Sequence, residues 1–204
     1  MNTLEIKKEN IVNSFEDFYK VAKKQFYDYE KLEGISNWKK YDFSIDCSED
    51  QIKFKDMLQI RFIEELTEAS AAIEEKEHFW EEITDALNFF ISAYIMVGTD
   101  FNKLPKPSNY LSKESNPKVP DFINYSIKAY GLVHRVGYLC NLLKNRPWAQ
   151  SNYLVSMVDF NERFEDLWVS FWKFLGDLGL SEQDIFDLFE RKVLVNRWRI
   201  KTGY

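Results

Sequence analysis

Apolar residues recur at helical spacing along most of the chain. Phe15, Phe18, Val21, Ala22 and Phe26 form one stripe, which predicts a helix over 14–33. Ser14 with Asp17 reads as its capping box, and Gly34 suits its C-terminal stop. Leu58, Phe62, Leu66, Ala69 and Ile73 predict a long second helix of about 49–76, opened by a capping box of Ser48 and Gln51. Phe79, Ile83, Leu87, Phe90 and Tyr94 predict a third, of about 79–97. The joint between these two is short, so they are expected as antiparallel neighbours.

Later stripes predict three more helices. One starts at Pro120, placed in its first turn, and runs to about Asn145. The next covers 152–178 and ends at Gly176 and Gly179. The last spans about 182–200 and is capped by Ser181 with Asp184. His134 lies beside the stripe of its helix and reads as a satisfied structural histidine. Residues 34–48 read as a loop or extended arm, in which Trp38 is a packing anchor or a wall for a flat ligand. Residues 99–120 hold four of the five prolines and read as a long loop, a lid or an interface arm. No strand-like alternation is long enough for a sheet. The expectation is a single all-α domain over 1–204, a bundle of about six helices.

Composition narrows the function. The chain has 204 residues, 45% hydrophobic and 17% aromatic, enough for one sizeable core. A net charge of −6 argues against a general nucleic-acid or membrane-surface binder, though not against a nucleotide. Two cysteines without a CxxC make no disulfide framework and point to the cytoplasm. No signal peptide is seen, and the most apolar run, 86–98, is too short to span a bilayer. Two histidines argue against a His-rich zinc site. A di-iron bundle needs two Glu-x-x-His motifs, and only Glu75-x-x-His78 fits.

The candidate chemistry lies in 64–90. Glu65 with Glu68, and Glu82 with Asp85, are acidic pairs at i,i+3 inside apolar helical patterns. That spacing puts both carboxylates of a pair on one helix face. Two such helices packed together bring four carboxylates into one place. At about 4 Å each pair repels by about 4 kcal/mol at an effective dielectric near 20. Protons or a hard cation must offset this, and Mg²⁺ suits carboxylate and phosphate oxygens. On the last helix, Lys192, Asn196 and Arg199 fall at i, i+4 and i+7, a face that suits a polyphosphate. Such a stripe can also be a solvated basic face on a C-terminal helix.

Taken in order, these motifs resemble the all-α nucleoside triphosphate pyrophosphohydrolase superfamily. They are Glu65-x-x-Glu68, Glu82-x-x-Asp85 and Lys192-x₃-Asn196-x₂-Arg199-x₃-Gly203-Tyr204. Within the superfamily the chain looks most like the dimeric dUTPases, whose relatives include phage dCTPases and MazG-like enzymes. The resemblance covers roughly 50–98 and 160–204, with a weaker match near 15–38 and none placed over 99–160.

The resemblance implies a four-helix Mg²⁺-nucleotide site, with Mn²⁺ the alternative cation, that hydrolyses a dNTP to the monophosphate and pyrophosphate. It implies that Glu65, Glu68, Glu82 and Asp85 hold the metal, with Glu65 or Glu68 as the base for the attacking water. Lys192, Asn196, Arg199 and Tyr204 would hold the phosphates, and Gln25, Trp38 and Asn88 the nucleoside. dUTP is the favoured substrate, with dCTP or another canonical or modified dNTP as the alternative and a non-catalytic helical interaction protein as a further one. Two positions differ from the family pattern: Asp28 or Tyr29 stands where its uracil-pocket asparagine falls, and Asn88 where histidine is frequent. A homodimer is also implied, as are a cytoplasmic location (the host's, if phage-encoded) and, from phage-type relatives, a regulatory protein partner.

Overall fold

A computed structural model describes residues 12–32, 44, 47–143 and 156–202. Among them the chain is all-α. Its helices are α1 (Phe15–Leu32), α2 (Ser48–Lys55), α3 (Ile63–Ala71), α4 (Lys76–Met96), α5 (Phe122–Leu142), α6 (Met157–Asp177) and α7 (Glu182–Thr202). A π-helical segment, Asp56–Phe62, joins α2 to α3 without a break. Two short 3₁₀ turns, Phe101–Lys103 and Pro107–Asn109, lie between α4 and α5. No strand is present among the described residues, where the one bridge pairs Ser112 with Ser181.

The centre of the bundle is α4. Phe79, Ile83, Leu87, Phe90 and Tyr94 are buried as the stripe predicts, but so are Trp80, Ala86, Ile91, Ala93 and Ile95 on its other sides. A helix buried on several sides belongs in the middle of a fold. The segment from α2 to α3, together with α1 and α7, packs against α4, while α5 and α6 pack on each other. Aromatic rings fill the space: Phe90 stands 4.1 Å from Phe171 and 5.9 Å from Trp168, ring centre to ring centre. Two of the buried tyrosines tie helices together through their hydroxyls. The Tyr94 hydroxyl donates to the Phe164 carbonyl at 2.6 Å, and Tyr125 to that of Leu66 at 2.7 Å.

Several boundaries differ from the sequence reading. The long second helix ends at Ala71, and a turn of residues 72–75 carries the chain into α4. Its N-cap is Cys47, which makes no side-chain cap bond, one residue before the Ser48 expected to open the helix. Pro120 precedes α5 instead of sitting in its first turn; the cap is Asp121, which accepts from the Asn124 amide at 3.0 Å. His134 is not buried in the core. It is exposed, with its ring between Tyr130 and Tyr138. The caps at Ser14 and Ser181 do form: the Ser14 hydroxyl accepts from the Asp17 amide at 3.1 Å, and Ser181 from that of Asp184 at 3.3 Å.

The 99–120 loop is bonded down along its second half. Amides of Ser112, Asn116 and Lys118 donate to the carbonyls of Leu180, Gly179 and Leu178 at 2.9–3.0 Å. The contact needs glycine on the other side. A Cβ at Gly176 would lie 2.0 Å from the Tyr110 carbonyl oxygen, and one at Gly179 2.1 Å from that of Asn116, where φ is also +81°. The loop therefore fixes the α6–α7 turn and with it the start of α7, which is not how a lid behaves.

Candidate active site

Four helical segments enclose a cleft of about 570 Å³. Its floor is α4, with Asp85, Asn88, Phe89, Ser92 and Met96. One wall is the run from α2 to α3, with Lys53, Asp56, Met57, Arg61 and Glu65. The facing wall is built by α1 (Gln25, Phe26, Tyr29) and α7 (Lys192, Asn196, Arg199). The volume falls in the range of small-ligand sites.

At one end of the cleft the carboxylates meet. Glu65, Glu82 and Asp85 each present an oxygen within 4.8 Å of the others. Spacing of i,i+3 on α4 and an antiparallel crossing by α3 produce this. The Glu65 carboxyl is pushed up to about 8, first by burial, then by its hydrogen bond to Glu82 and by the charges of Asp85, Glu82 and Glu68. Burial also raises Asp85, against the opposing pull of Lys192. The Lys192 ammonium donates to Asp85 Oδ2 at 2.5 Å, while Asp85 Oδ1 is buried with no hydrogen-bond partner. An orphaned carboxylate oxygen beside two further carboxylates is a donor set that suits a hard divalent cation.

Glu68 stands apart from this cluster. It is exposed on α3, near enough to act on Glu65 through its charge. His78, unassigned by the sequence reading, lies one turn before Glu82 on the same face of α4, and its Nε2 is 2.6 Å from Glu82 Oε1.

The basic stripe of α7 reaches the same cleft. Asn196 is buried, and Arg199 lines the wall near Tyr29, whose hydroxyl is raised by burial and lies within the fields of Arg199 and Asp85. One turn along the floor from Asp85, the Gln25 carboxamide makes a long contact to Asn88 Oδ1, 3.5 Å, and Asn88 donates to the Thr84 carbonyl at 3.0 Å. Gln25 Oε1 is buried without a hydrogen-bond partner. Of the expected site residues, Glu65, Glu82, Asp85, Lys192, Asn196, Arg199, Gln25 and Asn88 thus share one site. Trp38 and Tyr204 lie outside the described residues.

The wall of Lys53, Asp56, Met57 and Arg61 was also missed from sequence. Arg61 falls four residues before Glu65, hence on the same helix face, a signal that was present.

The fold is an all-α bundle in which an acidic cluster and a basic helix face share one cleft. The family model for dUTPase matches residues 69–204, well over half of the chain, and the chain belongs to that family. No curated protein and no solved structure matches it. The matched span runs through 99–160, which the sequence resemblance left unplaced, and holds Glu82, Asp85, Lys192, Asn196 and Arg199. Glu65 lies before it, and the fold brings that residue into the cluster. Membership supports a dUTP or dNTP diphosphatase-like function in general terms. No helix among the described residues is long and apolar enough to cross a membrane.

Proposed function

We propose that the chain hydrolyses a deoxynucleoside triphosphate, dUTP first, to the monophosphate and pyrophosphate in the presence of Mg²⁺. The observation that carries this reading is the placement of Glu65, Glu82 and Asp85 at one end of a cleft whose facing wall presents Lys192, Asn196 and Arg199. Glu65, Glu82 and Asp85 would hold the cation, with Glu68 at the open side. A bound divalent ion there supplies charge neutralisation for the phosphates and a more acidic water.

The chain's own groups do the rest. Lys192 and Arg199 bind phosphate oxygens and stabilise charge that develops as the bond from α-phosphorus to the bridging oxygen breaks. Asn196 orients the same oxygens. A carboxylate on α3, Glu65 or Glu68, accepts the proton of the attacking water, and pyrophosphate leaves. Gln25 and Asn88 meet the base or sugar with carboxamides, which offer both donors and acceptors.

That last property favours a second reading with the same chemistry on dCTP or a modified base, since the buried Gln25 Oε1 would accept from an imide N–H or an amino group alike. Pyrophosphate release from dUTP, dCTP, dTTP and dATP at equal concentration, with and without chelator, tests both readings. No pyrophosphate from any of them would leave a non-catalytic interaction protein. Homodimerisation in the cytoplasm belongs to the same proposal. It is supported by Ile123, Ile127, Tyr130 and Tyr138, which recur along one side of α5 and are each more than half exposed.

A further inference from the structure

The wall opposite α7 owes its shape to the π-helical segment. Lys53, Met57, Arg61 and Glu65 are spaced four apart and all line the cleft. On an α-helix each step of four advances about 40°, so the first and last would diverge by about 120°. Seven residues of wider π-helix, bonded i to i+5, cancel that drift. The adjacent apolar series shows the same correction: Phe54, Leu58, Phe62 and Leu66 are also four apart and all are buried.

The widened turn has a second effect. Asp56 and Arg61 are five apart, about 140° around an α-helix. Here they meet, and Arg61 Nε donates to Asp56 Oδ2 at 3.0 Å. Arg61 also leans over the cleft floor, its guanidinium carbon 5.7 Å from the centre of the Phe89 ring. Its two terminal nitrogens have no hydrogen-bond partner among the described residues. Both side chains of the pair are more than two-fifths exposed, so the pair is weak and easily exchanged for a ligand.

From this geometry we propose that Arg61 is a further substrate-binding residue, a guanidinium that grips the phosphate chain from the wall opposite Lys192 and Arg199. It stands one helical turn from Glu65, within reach of phosphates held at the carboxylate cluster. Asp56 fixes Nε and leaves the planar pair of terminal N–H groups directed to a phosphate, the fork for which arginine is suited. Phosphate is thus held from both walls, and the π segment serves to aim one of the two grips. The inference rests on the cleft being a dNTP site.

Binding of a non-hydrolysable dNTP and of the matching deoxynucleoside, each with Mg²⁺, is measured by calorimetry for the wild-type protein, Arg61→Ala and Arg61→Lys. A thermal melt checks that each variant folds. Loss of the fork weakens dNTP binding by about tenfold to a hundredfold in Arg61→Ala, the range for a charge-assisted hydrogen bond. Arg61→Lys recovers part of it, and deoxynucleoside binding is unchanged throughout. Unchanged dNTP affinity in Arg61→Ala overturns the inference while the proposed function stands. An equal loss for the deoxynucleoside also overturns it, placing Arg61 at the base. If the wild-type protein binds no dNTP, both the proposed function and this inference fall.

Discussion

Lys192 Nζ lies 2.5 Å from Asp85 Oδ2, a contact between residues 107 apart in the chain. It is the point where the acidic half of the site, on α3 and α4, meets the basic half on α7. Both side chains are about four-fifths buried, so water screens the pair poorly. Replacing Lys192 with Met removes the cation from that wall and leaves Asp85 to the metal alone. The expected result is a fall in kcat/KM of about a hundredfold or more, comparable with loss of one donor to a developing oxyanion. Steady-state pyrophosphate release checks it, and a variant within threefold of wild type would remove Lys192 from the chemistry.

The four expected metal carboxylates are not equivalent. Glu82 and Asp85 belong to the close cluster with Glu65, whereas Glu68 is exposed and outside it. Glu82→Ala and Asp85→Ala are therefore expected to weaken Mn²⁺ binding more than about a hundredfold, and Glu68→Ala by about tenfold or less. Titration of free Mn²⁺ by electron paramagnetic resonance gives the three affinities. Equal losses in all three would show that Glu68 binds the cation as fully as the others.

Much of this was readable from the sequence, for physical reasons. Spacing of i,i+3 places paired carboxylates on one face whatever surrounds them, and Lys192, Asn196 and Arg199 at i, i+4 and i+7 follow the same geometry. The caps at Ser14 and Ser181 depend on three-residue local chemistry and formed as expected. The split among the carboxylates was not readable. It depends on where α3 and α4 cross, which brings Glu65 to Glu82 and Asp85 and leaves Glu68 outside the cluster. The π segment was missed because no residue in Asp56–Phe62 announces it. Its trace lies in apolar positions that keep strict four-residue steps from Phe54 to Leu66, longer than the 3.6 of a regular helix.

The Glu65 carboxyl ties stability to pH. Its ordinary value of 4.5 is pushed up to about 8 in the fold, so the folded chain holds a proton there that the unfolded chain releases. Stability from this group is fully present below about 4.5 and is lost as pH rises to about 8. Mg²⁺ competes with that proton, so it should raise the melting temperature more at pH 8 than at pH 6. Melts at the two pH values with and without Mg²⁺ test the coupling. An equal Mg²⁺ effect at both would contradict it.

The exposed stripe of α5 gives a separate expectation for assembly. Ile127 is 66% exposed and Tyr130 70%, in the middle of an apolar row on one side of the helix. Ile127→Asp should convert a dimer to a monomer without lowering the melting temperature of the monomer, because the side chain packs little within its own chain. Sedimentation equilibrium reads the mass directly. A wild-type monomer at tens of micromolar, or a variant that stays dimeric, would remove α5 from the interface.

Hydrolysis of dUTP in ¹⁸O-labelled water, with products resolved by mass spectrometry, tests the central claim most directly. Attack at the α-phosphorus predicts one ¹⁸O in the monophosphate and none in the pyrophosphate, with both products lost on adding chelator and in Asp85→Ala. Orthophosphate with dUDP as the products, label in the pyrophosphate, or full turnover in Asp85→Ala would contradict the site described around Glu65, Glu82 and Asp85.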